Sequence, residues 1–294
     1  MEVWFNVLRH GNWAEFKLEF SRFMILVVSS PNTYASKRLM AESKKLSIPL
    51  KIVPANELST VNLAPFKVLY IRNPFVNKSP EFLPQVIALA KKFKRSGKKV
   101  VDDVVANGDL ALGKWDNYKR LKLSGIPIPK TELLSDYPLP TTHYPLILKW
   151  IYGFKAREVF FVANELRLKE IFSKFPKNEL LIQEFIPAKY EYKIITVGYK
   201  ALPVATKFKI KDLGFKIDFS SASSVPIRGL PSELIEMAET AAKVLGRQLS
   251  KVDILESHGK FYVLEVNRCP GLKSFERITK HNVVKAFLDY LYSL

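Results

Sequence analysis

Glu265 and Asn267 stand two residues apart in VLEVNRCPGL (263–272), on what reads as a strand end just before Pro270 and Gly271. Alternate residues of a strand point to one face. A carboxylate and an amide carbonyl on one face are hard oxygen donors, suited to Mg²⁺. Twelve residues before Glu265, the apolar stretch KVDIL offers a further oxygen donor, Asp253. Between them ESHGK places Gly259 where a hairpin would turn. As antiparallel neighbours the two strands would present Asp253, Glu265 and Asn267 to one pocket. The residues alone leave that reading level with a hairpin whose polar ends are simply solvated.

The elements that must position these groups follow from periodicity. FMILVVSS (23–30), KIVP (51–54), KVLYIRNP (67–74) and KKVVDD (98–103) read as strands. A loop and helix fall within SPNTYASKRLMAESKKLSIP, and a second helix spans about 80–96. Strands alternating with helices indicate a parallel α/β layer, expected over 24–108 after an N-terminal extension at 1–23. KWDNYKRLKLSG (114–125) reads as a helix stopped by Gly125 and by the prolines at 127 and 129. PLILKW (145–150), REVFFV (157–162) and LLIQEFIP (180–187) read as strands, with a helix at about 164–174; these form a small α+β lobe at 109–190. EYKIITVGYKALPVATKFKI (191–210) alternates as a hairpin turning near Gly198 and Tyr199. A helix at 231–246, the candidate metal hairpin and a helix at about 282–292 complete a last lobe at 191–294.

The chain has 294 residues, 48% of them hydrophobic, enough for a real core in two or three lobes. Its one cysteine, Cys269, permits no intramolecular disulfide and fits a reducing compartment. No apolar run reaches the roughly 18–20 residues of a membrane span. The opening MEVWFNVLRHGNWAEF lacks the basic flank and apolar core of a signal peptide. A cytoplasmic protein without a membrane partner is expected. The net charge of +18 implies attraction to polyanions, whether nucleotides, nucleic acid or acidic peptides. KKFKRSGKK (91–99), the densest basic run, reads as the solvated end of a helix whose apolar face carries Val86, Ile87, Leu89, Ala90 and Phe93. With no aromatic platform interleaved, nucleic acid is the disfavoured polyanion. The histidines (His10, His143, His258, His281) show no metal-ligand spacing, and Cys269 has no evident base. GKWDNYK is not a P-loop, which needs GxxxxGK[ST].

Four features lie in a fixed order. Lys114 opens a helix leading into GIPIPKT, Lys149 ends the strand PLILK, an apolar strand runs into QEFIP, and Asp253, Glu265 and Asn267 close the set. This order resembles the ATP-grasp superfamily, in particular its RimK-type branch of α-L-glutamate ligases. NTYASKRLMAESKKLSIP, SGIPIPKT, LIQEFIP, VDIL and LEVNRCPGLKSFE are all similar to that branch's signatures, over about 25–292. The resemblance implies a parallel α/β domain before two α+β lobes that clamp ATP. It implies an ATP-dependent carboxylate–amine ligase with Mg²⁺, or Mn²⁺ in its place, held by Asp253, Glu265 and Asn267. Lys114 and Lys149 would meet the ATP phosphates. Gln183, Glu184, Phe185 and Ile186 would form the adenine-binding hinge, and Glu191 would accept from the ribose. Lys193 and Lys207 stand where the branch has arginine and would act on the transferring phosphoryl group or the substrate carboxylate. As point charges they lack arginine's bidentate fork.

Two segments depart from the pattern. The branch's glycine-rich phosphate loop is here KWIYGFKAREVFFV, with Gly153 retained, Ala156 and Glu158 in place of glycine, and Lys155 and Arg157 as candidate substitutes for backbone contacts. FKIDFSSASS (215–224) has Asp218, Ala222 and Ser223 where the branch has asparagine and a Gly-Gly pair. That region borders the acceptor site. The implied substrates are a glutamate-like amino acid and a peptide, protein or small-molecule acceptor, with homo-oligomerisation left open. Two other classes stay in view: a nucleotide-binding regulatory protein without turnover, motivated by the loop, and an RNA- or ribosome-associated basic protein, motivated by charge.

Overall fold

The computed structural model describes residues 23–75, 81–107, 113–136, 143–151, 158–210 and 224–294. These fall into two compact units, 1–100 with 284–294 and 101–283. The first unit carries β1 (Met24–Val28), α1 (Tyr34–Lys45), β2 (Leu50–Val53), β3 (Phe66–Ile71), α2 (Leu83–Arg95) and β4 (Lys99–Val101). Its sheet order is β2-β1-β3-β4, and β1 runs parallel to both β2 and β3. Ile25, Leu26, Val27 and Val28 of β1 are fully buried, as expected of a central parallel strand covered on both faces. Thr33 caps α1, its side chain accepting from the Ser36 N–H.

The second unit opens with α3 (Asp103–Ala106) and α4 (Lys114–Leu123). An antiparallel sheet ordered β5-β8-β6-β7 follows, made of β5 (Thr131–Leu133), β6 (Leu146–Trp150), β7 (Val159–Val162) and β8 (Leu180–Glu184). The helix α5 (Glu165–Phe172), capped by Asn164, packs Leu168 and Ile171 against Leu148, Val162 and Ile182. The second sheet is ordered β11-β10-β9-β12-β13, built from β9 (Tyr190–Val197), β10 (Lys200–Lys209), β11 (Ser224–Arg228), β12 (Leu249–Ser257) and β13 (Lys260–Asn267). Its hairpins turn at Gly198–Tyr199 and His258–Gly259, with φ of 58° and 67° and of 49° and 73°. Both are the positive-φ pairs that match strand twist, which is why glycine recurs there. The helix α6 (Ser232–Val244) lays Leu234, Ala238 and Ala241 on Ile194, Ala205, Val252, Ile254 and Val266 of this sheet. After α7 (Leu272–Thr279) comes α8 (Val283–Ser293).

Several elements differ from the sequence reading. β5 and β11 are too short or too exposed to show a period; β11 carries Pro226 as an edge strand may. α7 has no counterpart in the sequence reading, although Leu272, Phe275 and Thr279 are its buried residues. The last helix, expected within a lobe at 191–294, groups from residue 284 onward with the first unit, where Phe287 meets the Tyr70 ring edge-on at 4.7 Å. No helix among the described residues is long and apolar enough to cross a membrane.

Asp102, just before α3, is fully buried in the second unit. Its Oδ1 accepts the Leu249 N–H at 3.0 Å, and Arg268 lies 3.7 Å from Oδ2. Burial outweighs these partners and pushes the carboxyl up to about 6. A raised acid binds its proton in the folded chain while the unfolded chain has released it. The stabilisation is therefore complete below the unfolded value near 3.8 and lost as pH rises through about 6. The wild type should lose on the order of 3 kcal/mol of stability across that window. Asp102→Asn should lack this component of the slope. Urea denaturation at several pH values, with equal slopes in both proteins, would refute the assignment.

Candidate functional site

β12 and β13 bring the metal candidates together by register. Asp253 lies opposite Glu265, and Lys251 opposite Asn267. The register then shifts, Ile254 pairing with Val263, so Leu264 is the extra residue of a bulge. Asp253, Glu265 and Asn267 share the face that turns away from α6, since Val252, Ile254 and Val266 occupy the other. Asp253 is buried, Glu265 exposed and Asn267 half-buried. The Asn267 amide donates to Asp253 Oδ2 at 3.4 Å. The buried Oδ1 of Asp253 has no hydrogen-bond partner. An orphaned carboxylate oxygen beside a second carboxylate and an amide is a donor set that fits Mg²⁺. No cluster of three His, Cys, Asp or Glu exists among the described residues; the set depends on an asparagine.

Lys193 joins the same face from β9, directly opposite Asp253. Its Nζ lies 3.7 Å from Asp253 Oδ2 and donates to Glu191. Burial works against this ammonium, but Asp253 and Glu191 outweigh it and hold the lysine above its ordinary range. Burial pushes the Glu191 carboxyl up, opposed by Lys193. Glu191, expected at a ribose, is thus a buried counter-charge to Lys193 in this conformation. Lys207 is not brought to the site. It pairs with Tyr192, one residue out of phase with the Thr206–Lys193 pair, and so points to the opposite face. Its ammonium lies 3.8 Å from the Tyr190 ring centroid. The expectation that Lys193 and Lys207 act together is corrected on that ground: strand parity separates them.

Lys149, buried within β6, donates to the Tyr118 hydroxyl at 2.8 Å, and Tyr118 donates to the Leu264 carbonyl at 2.9 Å. The bulge residue of the metal strand is therefore tied through α4 to the lysine of the other sheet. Lys114 donates to the Trp150 carbonyl at 3.3 Å. Burial lowers its ammonium below the ordinary range; Glu265 opposes this, Lys149 adds to it and Glu158 opposes it. Lys114 bonds the carbonyl next to Lys149, and Lys149 reaches the residue before Glu265 through Tyr118, so the three lie in one neighbourhood. Glu158 acts there as an attractive partner of Lys114. Tyr118 was missed in the sequence because a helix tyrosine with an apolar neighbour at Leu121 reads as core.

At the end of β8, Gln183 is buried and donates its amide to Thr131 at 2.6 Å, while its backbone pairs in register with Thr131 and Ile147. It braces the strand rather than offering an edge to a base. Glu184 accepts the Lys130 N–H through its side chain at 2.7 Å. Phe185 and Ile186 continue past the ladder, half-buried, with Phe185 meeting the Phe161 ring at 5.3 Å. Lys155, Arg157 and the other loop residues at 152–157, and most of the 215–224 segment, lie outside the described residues.

This architecture, a lysine-bearing antiparallel sheet and a second sheet with an acidic hairpin, is that of an ATP-grasp enzyme. A family model described as the RimK-like ATP-grasp domain matches residues 111–291, and the chain belongs to that family. A probable alpha-L-glutamate ligase of Legionella pneumophila (strain Corby) is 24% identical over 285 residues, covering 90% of this chain and 94% of the relative. Among solved structures, the ATP-grasp ligase PsnB with a phosphomimetic variant of its minimal precursor, Mg and ADP superposes with a TM-score of 0.73 at 14% identity, covering 92% of this chain and 98% of that one. D-alanine–D-alanine ligase from Bacillus anthracis with ATP gives 0.65 at 15% identity, covering 93% and 96%. The chain is thus an ATP-grasp ligase of the carboxylate–amine class.

Tyr118→Phe tests the bridge between the sheets. It deletes one hydroxyl that serves Lys149 and the Leu264 carbonyl, leaving the buried ammonium and the half-buried carbonyl without it. At about 1–2 kcal/mol for a buried, charge-assisted contact, ATP affinity should fall roughly 5- to 30-fold. Calorimetry with a non-hydrolysable ATP analogue decides; unchanged affinity would mean the bridge does not position Lys149.

Proposed function

We propose that this protein is an ATP- and Mg²⁺-dependent ligase that forms an amide bond between a carboxylate acceptor, a peptide or protein end or a small molecule, and glutamate or another amino acid. The observation that carries the reading is the orphaned Asp253 Oδ1 on a face shared with Glu265 and Asn267, beside the lysine pair Lys114 and Lys149. Asp253, Glu265 and Asn267 would hold the ion, which neutralises charge on the β and γ phosphates when bound.

The acceptor carboxylate oxygen attacks the γ phosphorus, the bond to the β-phosphate oxygen breaks, and ADP leaves an acyl phosphate. The amine nitrogen then attacks the acyl carbon, the carbon–oxygen bond to phosphate breaks, and the nitrogen loses a proton. Lys149, fixed by Tyr118, and Lys114 orient the phosphates as point charges. Lys193, kept charged by Glu191 and Asp253, stands next to the metal donors and is placed to meet the transferring group or the carboxylate. Phe185 and Ile186 wall the base, with Glu184 beside its edge. The PsnB complexes contain a precursor peptide, which supports testing peptides as acceptors here. A nucleotide-binding regulator without turnover would bind ATP and release no ADP with any acceptor.

The reading is tested by ADP release with ATP, Mg²⁺ or Mn²⁺, and a panel of amino acids and acceptors. Turnover should require both an amine and a carboxylate. Glu265→Gln keeps the side-chain size and removes one metal-facing charge. It should lower ADP release at limiting Mg²⁺ by at least about 100-fold, roughly 2.7 kcal/mol, with the circular dichroism spectrum unchanged. Wild-type turnover in that variant would remove the metal assignment.

A further inference from the structure

The basic run KKFKRSGKK has no part in the reaction as proposed. The described residues of the first unit hold fourteen lysines and arginines against four acids, a net +10 in a chain whose total is +18. The topology sorts these charges to one edge of the sheet. α1 leaves the end of β1 and returns to its start, where the Ile25 N–H donates to the Pro49 carbonyl just before β2. α2 returns in the same way to the start of β3: Lys98, just past its end, donates to the Leu63 carbonyl at 2.9 Å. Both helices therefore end at the edge where β1, β2 and β3 begin.

Lys44 in the last turn of α1, Lys51 on β2, Lys67 on β3, and Lys91, Lys92 and Arg95 on the outer face of α2 all stand at this edge, and all are exposed. The acids do not accompany them. Glu42 is taken up by Arg38 and Lys45, and Asp289 by Lys285. Glu57 stands just past the end of β2 and Glu81 just before α2, at the opposite edge. A helix C-terminus attracts cations on its own account, because the macrodipole leaves negative partial charge there. That accounts for Lys44 and Arg95. It does not reach Lys51 and Lys67, which stand on strands.

We propose that this edge is a docking surface for duplex nucleic acid, held through its phosphate backbone and not its sequence. Four strands about 4.8 Å apart make the edge about 15 Å long. A duplex carries one charge per roughly 1.7 Å, so that length turns about four or five phosphates toward the protein. Ammoniums suit such a partner as point charges, whereas carboxylates are best matched by arginine forks, and arginine supplies only Arg95 of the six cations. Among the described residues of this unit the exposed aromatic is Tyr34, which opens α1 at the opposite edge. A single strand therefore finds nothing here on which to stack its bases. A duplex, whose bases are already stacked, needs no such platform.

The test is fluorescence anisotropy on the full chain with labelled duplex RNA and duplex DNA of about 20 base pairs, each in unrelated sequences. Parallel arms use the single strand, a polyglutamate peptide, and vesicles of equimolar phosphatidylcholine and phosphatidylserine. Duplexes should bind with a Kd of roughly 10⁻⁵ M near physiological salt, whatever their sequence, with a slope of log K against log salt of about −4. The tighter of RNA and DNA identifies the duplex. Lys91→Gln with Lys92→Gln and Arg95→Gln should weaken binding at least about tenfold and flatten the slope by about 2–3. Lys44→Gln with Lys51→Gln and Lys67→Gln should act in the same direction. Lys122→Gln with Lys243→Gln and Lys260→Gln removes the same charge from exposed positions of the second unit and should change affinity less than about twofold. An equal loss in that control would reduce the effect to net charge. Displacement of the duplex by ADP with Mg²⁺ would move the contact to the nucleotide site. Tighter binding of single strand, peptide or vesicles would assign the edge to another partner. Any of these results, or no duplex binding, overturns the proposal.

Discussion

The strand that carries Glu265 and Asn267 is an edge strand, and an edge strand exposes backbone groups that must find partners. β13 closes its sheet on one side. Its outer groups are met one by one: the Val263 N–H by the Pro127 carbonyl at 2.8 Å, the Leu264 carbonyl by Tyr118, and the Val266 carbonyl by Arg247. Every one of these partners also answers to another element. Pro127 follows α4, Tyr118 carries Lys149, and Arg247 donates to Asn117 of α4 at 3.0 Å. Satisfying one strand edge therefore fixes the helix that carries Lys114 and, through Tyr118, receives Lys149. The bulge at Leu264 is part of this device. It frees a carbonyl for Tyr118 while returning Glu265 to the face of Asp253.

Charge is arranged on the same principle of mutual satisfaction. The chain carries a net +18, yet the face around Asp253 alternates signs at close range: Glu191, Lys193, Asp253 and Lys251 all lie within contact of a neighbour of opposite charge. Removing one member of a buried pair typically costs about 3–5 kcal/mol, because it strands the other. Such pairs add little net stability over an apolar core. What they do provide is a set of charges held in place before any ligand arrives, which is the condition for electrostatic stabilisation without reorganisation.

How much of this was legible in the sequence depended on whether a short period carried it. Glu265 and Asn267 were readable as one face from their two-residue spacing, but that they share it with Asp253 depends on the bulge at Leu264, which carries no sequence signature. The parallel layer was readable because fully buried strands such as MILVV are unbroken apolar runs. Lys207 misled although the turn at Gly198–Tyr199 already sets it on the face opposite Lys193: the register shift between Ala201 and Ala205 moves the pairing by two residues and leaves that parity unchanged. Tyr118 and Arg247 were silent for a different reason. Their value lies in contacts separated by 146 and 19 residues, to backbone carbonyls that carry no sequence signature. β5, three residues long, offered no period at all.

Lys251 and Gln183 show how far residue type underdetermines role. The lysine beside VDIL carries no assignment in the sequence, and a glutamine opening QEFIP reads as part of the hinge. The register turns the lysine onto the face of Asp253 and Asn267 and the glutamine toward Thr131. In both cases the neighbour across the ladder, not the neighbour in sequence, sets the chemistry. Gln183 cannot leave its bond without stranding a buried amide, a cost of about 1–3 kcal/mol, so the strand end before Phe185 is held rigid. Rigidity there and an occupied Oδ2 on Asp253 have one physical consequence in common. Groups already bonded within the protein are unavailable to a ligand, and the ligand is left to meet those with an unsatisfied valence, of which Asp253 Oδ1 is one.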